Sequence, residues 1–493
     1  GTTVSIEQVF LDASFENDNT DFTLDADNMT GIEQLWNDGS SNTTDDNKDE
    51  TLILDNVSLD TIVGLKDSGV ATQVTFKETT GSDDTANFVL DGVAAKTAGT
   101  SGNDDGQASA LTANGVETFE ITTDGDASTL GNLNGDSVET VNIAGFADLK
   151  VSELSDEITT VNAEDLAAAL DITAGSEDIS ITGTANDDTF RFGGNLGSGD
   201  TVVGGDGQDT LSIGDSSNVS SGAFTNVSEV EELAVADEGN AQVNVTDLGD
   251  AFEVVNFSIT DNGDTSSTFD VTADGLSSGN QVNVTSANLA STGGATVDGI
   301  NALGTTTLNL ADASGTSDAL TLNLNNDNTN STLQDNVSDF ADTDGTFETQ
   351  TVAAAGTETF TLNSTGGLGA NRVTNLNLAD ATTVNVTGDQ DVTIGDGDST
   401  TTNGLSTGSL GMGDTVTVDA GDAGGQVTFE AANEDREHDI TGSAQDDTFI
   451  FTNDQFDDDD VVDGGDGVDS LTAAGVDGDI GDVQLSNVES ASF

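Results

Sequence analysis

Apolar and polar residues alternate with a period of two along most of the chain, as in Val138-Glu139-Thr140-Val141-Asn142-Ile143, Thr357-Glu358-Thr359-Phe360-Thr361-Leu362 and Thr415-Val416-Thr417-Val418. These runs are rich in β-branched residues and are separated by Gly, Asn, Asp and Ser, which predicts short strands joined by turns. A degenerate unit, apolar-Glu-x-apolar-x-apolar, recurs at 32–36, 116–121, 138–143, 230–235 and 488–493. One strand per coil is its natural meaning. Such a unit cannot bury an apolar face alone and folds only by stacking on its neighbours. The expected fold is therefore all-β, with stacked parallel β-helix or β-roll coils at about 180–235 and 385–493. For 1–180 and 236–385 the pattern allows either β-helix or β-sandwich-like segments. Helix is scarce, and the best candidate is 164–170, a turn or two at most.

Two stretches interrupt the alternation with a stricter pattern. Gly204-Gly205-Asp206-Gly207-Gln208-Asp209-Thr210-Leu211-Ser212 fits G-G-x-G-x-D-x-U-x at every position, and so does Gly464-Gly465-Asp466-Gly467-Val468-Asp469-Ser470-Leu471-Thr472. That nonapeptide builds a Ca²⁺ site from backbone and carboxylate oxygens above a buried apolar residue. Glycines let carbonyls turn toward an ion where a Cβ would clash. The Asp at position six adds charge. The apolar residue at position eight enters the core of the following strand.

Calcium takes about six to eight oxygens, more than one loop supplies, so a neighbouring loop must share the ion. A degenerate loop precedes each copy: Gly183-Thr184-Ala185-Asn186-Asp187-Asp188-Thr189-Phe190 and Gly442-Ser443-Ala444-Gln445-Asp446-Asp447-Thr448-Phe449. Both keep the first Gly, the Asp at six and the apolar residue at eight. The expected metal-binding residues are Asp188 with Asp209 and Asp447 with Asp469. The carbonyls near Gly205, Gly207, Gly465 and Gly467 assist them, with Asp206 and Asp466 as further candidates. Asp396-Gly397-Asp398 and the Asp/Gly cluster at 419–425 are second-tier candidates, since such clusters are commonly plain turns.

On these residues the chain resembles the RTX repeat proteins exported by bacterial type I secretion, and within that group the S-layer proteins more than the toxins or proteases. The nonads carry the first resemblance. The Thr/Ala/Asn/Val-rich, Cys-free, basic-poor sequence around them carries the second. The chain departs from the family pattern in one way: its nonads come as isolated pairs with inserts at 192–203 and 451–463, not as long tandem runs. The resemblance implies an extracellular, cell-surface protein with bound Ca²⁺ that assembles with copies of itself into a lattice. It also implies an export signal at the C-terminus, with which 488–493 is compatible. A cell-surface polysaccharide is the other partner this allows, through a region the sequence does not mark. The chief rival is a secreted RTX adhesin or matrix protein.

Charge sharpens the picture. Ninety-two acidic residues against eight basic give a net charge of −84 over 493 residues, which repels itself strongly at low ionic strength. A halophilic surface would explain acidity alone, but the acids gather beside glycines and in Asp457-Asp458-Asp459-Asp460, just before a nonad. Nucleic acid is excluded as a partner because the eight cations are scattered singly. Anionic membrane surfaces are excluded likewise, and no apolar run approaches a membrane span. Without cysteine there is no disulfide or thiolate chemistry.

The length and the duplication suggest two halves, about 1–235 and 236–493. Finer segments are a β-rich region at 1–180, a calcium-binding segment at 181–235, a second β-rich region at 236–385, and a β-rich segment with the second calcium-binding pair at 386–493. An enzyme is not expected. The single histidine, His438, falls in Glu434-Asp435-Arg436-Glu437-His438-Asp439, which reads as a solvated charged turn, and nothing else completes a Ser-His-Asp arrangement. A calcium-dependent β-helix polysaccharide-active enzyme is the alternative of another class; a lyase gripping acidic sugars needs a basic site that this chain lacks.

Overall fold

The structure is a computed structural model that describes residues 6–15, 21–42, 50–94, 110–214, 219, 222–236, 242–246, 248, 251–260, 269–287, 302–327, 347–366, 370–397, 403–407, 415–432, 436–452, 455–457, 459–475 and 484–493. Among the described residues every strand is paired in parallel and there is no helix. The chain forms two compact units, 1–213 with 222–231 and 214–221 with 232–493.

In the first unit the chain alternates between two sides of a flattened coil. Successive strands Thr85–Asp91, Thr118–Thr123, Thr140–Gly145, Thr160–Leu166, Ser180–Thr182 and Thr201–Val203 pair in that order on one side. Leu149–Val151, Leu170–Thr173, Thr189–Gly193 and Thr210–Ile213 pair on the other. The second unit repeats the arrangement, for example with Thr415–Asp419, Glu437–Thr441 and Val461–Asp463 against Val427–Ala431, Thr448–Phe451 and Ser470–Ala473. Parallel pairing excludes the sandwich alternative for the described parts of 1–180 and 236–385, because sandwich sheets are antiparallel. The same sheets carry strands from both sides of residue 180.

The period-two pattern sets this architecture. Strands such as Thr118–Thr123 and Thr140–Gly145 bury alternate residues, and the buried ones stack in register from coil to coil. Phe119 pairs with Val141, and Ile121 with Ile143. Phe88 meets Phe119 edge-on at 5.2 Å between ring centres. Outward positions satisfy one another: in the second unit Asn256, Asn283, Asn323 and Asn363 form a ladder in which each later amide N–H donates to the earlier carbonyl oxygen, as stacked asparagines do in cross-β structures.

The helix expected at 164–170 does not form. Residues 160–166 are a strand paired with Thr140–Gly145, with a bulge that lets Asp165 pair with Ala144. A seven-residue helix is marginal in water, whereas the strand buries Ala163 and Leu166 and pairs with Thr140–Gly145 on both sides of the bulge. Among the described residues no helix is long and apolar enough to cross a membrane.

Candidate metal centre

Each loop pair occupies the same corner of two successive coils. Loop 183–188 follows Ser180–Thr182 and loop 204–209 follows Thr201–Val203, and the registers Ser180↔Thr201 and Thr189↔Thr210 set one above the other. In the second unit Asp439↔Val461 and Thr448↔Ser470 do the same for 442–447 and 464–469. The position-eight residues Phe190, Leu211, Phe449 and Leu471 are buried in register beneath them.

The glycines answer to a neighbour, not only to their own turn. Gly205 and Gly207 have φ of 117° and 134°, Gly465 and Gly467 of 95° and 135°. A Cβ on Gly205 would stand 1.9 Å from the Thr184 carbonyl oxygen, and one on Gly465 would stand 2.0 Å from that of Ser443. The carbonyls of Asn186 and Gln445 press on Gly207 and Gly467 in the same way. The upstream loop's carbonyls thus meet the downstream loop's glycines. This explains why glycine occupies positions two and four only in the downstream copy. Gly205→Ala should therefore destabilise well beyond the roughly 1–2 kcal/mol of a positive-φ side chain. Gly193→Ala, at φ 54° with open space around it, should stay within that range; urea unfolding of the two variants makes the comparison.

The aspartates form a relay along the stack. Asp188 is buried, and its Oδ1 accepts the Leu170 N–H of the preceding coil at 2.7 Å and the Thr184 hydroxyl at 3.0 Å. Its Oδ2 accepts the Thr184 N–H at 2.6 Å. The Asp188 N–H in turn donates to Asp209 Oδ1 at 2.8 Å, and the Asp209 N–H donates to Glu231 Oε2 at 3.0 Å. The second unit repeats each link. Val427 N–H donates to Asp447 Oδ1, Asp447 N–H to Asp469 Oδ1 and Asp469 N–H to Glu489 Oε2, each at 2.7 Å. Ser443 replaces Thr184 against Asp447.

One atom in each relay is left over. Asp209 Oδ2 and Asp469 Oδ2 are buried and accept no hydrogen bond, whereas the equivalent Oδ2 atoms of Asp188 and Asp447 accept the Thr184 and Ser443 N–H groups. Burial lifts the Asp209 carboxyl to about 6, against the pull of the Asp188 N–H and with a push from Asp188 and Glu231. Burial likewise raises Asp188, Asp447 and Asp469.

Of the expected site residues, the structure brings Asp188 to Asp209 and Asp447 to Asp469, with the four glycines at the same corners. Asp206 and Asp466 are exposed and make no hydrogen bond. The neighbouring Asp187 and Asp446 instead accept the Gln208 and Val468 N–H groups, each at 2.9 Å. Sequence reasoning missed Glu231 and Glu489, although the signal lay in the apolar-Glu unit. Glu117 of another such unit receives the Asp84 N–H of the preceding coil in the same way, and Glu358, after Thr357, receives that of Asp318.

Among the second-tier candidates, Asp419 caps a plain turn through the Gly421 N–H; Asp398 lies outside the described residues. His438 is corrected from a solvated turn to the core. It is 1% exposed, with Nδ1 3.3 Å from Asp460 Oδ1 and its ring edge-on to Phe429 and Phe451. Glu434 and Asp435 lie outside the described residues.

Among the described residues no three His, Cys, Asp or Glu side chains converge as a ready-made cluster. The donor set still suits a hard, oxygen-seeking cation. An unpartnered buried carboxylate oxygen is costly, two of them sit at equivalent corners, and carbonyls crowd the adjacent glycines. Asp209 and Asp469, with loop carbonyls, are the residues that would hold Ca²⁺, which would supply the missing partner for Oδ2 and neutralise local charge.

No protein-family model matches the chain, and no curated protein matches it. The class is defined by the fold: a parallel β-solenoid in two compact units, each with one stacked pair of Gly/Asp loops.

Proposed function

We propose that the chain is an extracellular structural protein, an S-layer subunit or part of one, exported by a type I route, whose loop pairs bind Ca²⁺ and which assembles with copies of itself into a calcium-dependent lattice. The observation that carries this is the buried, unpartnered Oδ2 of Asp209 and of Asp469 at equivalent corners. The GGxGxD pattern and the net charge of −84 support it. The chain is structural on this view, not catalytic.

Assembly needs the divalent ion for a reason separate from screening. Monovalent salt shortens the Debye length to about 8 Å at physiological strength but bridges no carboxylates. The protein should form ordered sheets or tubes in millimolar Ca²⁺ and stay dispersed in Na⁺ of equal ionic strength. The double variant Asp209→Asn with Asp469→Asn retains the Oδ1 acceptors, and it should fail to assemble. Light scattering and negative-stain microscopy decide. Equal assembly in Na⁺ and Ca²⁺ rejects the role of calcium, and dispersed protein in every condition favours the adhesin.

A further inference from the structure

The sole tryptophan lies on the outer face of the first unit, where the polar pattern would place a hydrophilic residue. In Gln34–Asp38 the inward positions are Leu35 and Asn37, both buried, so Gln34 and Trp36 face outward. Trp36 is in register with Phe10 on one side and Gly64 on the other. The Phe10 and Trp36 rings are nearly parallel, 17° apart with centres 6.1 Å apart, and Phe10 is 54% exposed. The indole lies over Gly64, where a Cβ would come within 2.1 Å of the ring. A glycine therefore seats the tryptophan flat against the sheet.

The polar groups beside the rings are arranged as well. Gln34 Oε1 accepts both the Gln8 amide at 2.9 Å and the Trp36 indole N–H at 3.0 Å. That fixes the amides and leaves Gln34 Nε2 as a donor and Gln8 Oε1 as an acceptor without protein partners among the described residues. The six registered positions, Gln8, Phe10, Gln34, Trp36, Ile62 and Gly64, carry no charge, in a chain of net −84.

We infer that this patch binds a neutral glycan. Aromatic faces bear partial negative charge that attracts polarised C–H groups, such as those on the apolar face of a pyranose ring, while a donor and an acceptor at the rim fix orientation through ring hydroxyls. Among the described residues the one cation bordering these positions on the same face, Lys66, is in register with Asp38 and ion-paired with Asp91, and with the acidity of the whole chain this disfavours anionic sugars. The inference adds a place and a chemistry to the partner side of the proposed function. It requires neither bound calcium nor a lattice.

Because Trp36 is the only tryptophan, its emission reports this site alone. The dispersed protein, in Na⁺ of physiological strength with Ca²⁺ kept below the level that drives assembly, is titrated with neutral hexasaccharides of β-1,4-glucose, α-1,4-glucose, β-1,4-mannose and β-1,4-N-acetylglucosamine, with oligogalacturonate as the anionic control. Sedimentation follows assembly separately. At least one neutral sugar should shift the emission saturably, and the anionic one should not. Phe10→Ala and Gln34→Ala should each weaken that affinity about tenfold, or about 1.4 kcal/mol, with an unchanged melting curve. Absence of a saturable response to any neutral sugar, binding unaffected by both substitutions, or emission that follows protein concentration instead of sugar would each overturn the inference.

Discussion

Chelation of Ca²⁺ at low ionic strength should lower the melting temperature sharply and shift the circular dichroism from strand toward disorder. A ligand that binds only the folded state stabilises it by RT ln(1 + [L]/Kd), about 2.7 kcal/mol per site at a hundredfold excess. Two equivalent loop pairs then contribute on the order of 5 kcal/mol, a large part of the stability of an ordinary domain. Removing the cation also returns Asp209 Oδ2 and Asp469 Oδ2 to burial without a partner and restores the repulsion of a chain with net charge −84. Raising Na⁺ in the chelated protein should recover the screened part of the loss and no more. Asp209→Asn and Asp469→Asn should each remove about half of the calcium-dependent increment. A melting curve unmoved by chelator at low salt would leave generic acidity as the only role of the carboxylates.

The fold was legible because its determinants are local and repeated. Alternation fixes which face of each strand is buried, and the position-eight residues Leu211 and Leu471 are in the core as their spacing requires. What a single coil cannot reveal is contact between coils. The preference of glycine for positions two and four comes from carbonyls of Thr184, Asn186, Ser443 and Gln445 in the coil before, and Glu231 and Glu489 act on the turn of that preceding coil. The candidate site was thus legible in its aspartates and glycines but not in the relay that joins them. The stretch 164–170 misled because Glu, Leu and Ala have high helix propensity, yet parallel pairing of Asp165 and Leu166 with Ala144 and Gly145, and of Leu170 with Leu149, outweighs propensity in so short a segment. His438 misled because its neighbours in sequence are charged, while Phe429, Phe451 and Asp460 reach it from other turns of the chain.

The metal-free protein should become more stable, not less, as the pH falls from about 7 to about 4.5. Burial raises Asp209 to about 6 from an ordinary value of 3.8. Between those limits the folded state holds a proton that the unfolded chain has lost, so stability falls as pH rises through the window. The proton also gives Asp209 a neutral carboxyl and lifts the penalty on its unpartnered oxygen. A shift of about two units corresponds to roughly 3 kcal/mol, and Asp469 is raised in the same direction by the same burial. The Lys66 ammonium holds Asp91 below its ordinary value by a hydrogen bond, so losses from groups of that kind begin only below the window. In the calcium-loaded protein protons and Ca²⁺ compete for the same oxygen. The stabilisation by calcium should therefore shrink as pH falls through about 6. Thermal melts with chelator and with excess Ca²⁺ across this range should converge at the acidic end. Metal-free stability that falls steadily on acidification from neutral pH would show that the buried Asp209 and Asp469 carboxylates are already compensated in the folded chain, and would remove the physical reason for a cation at these corners.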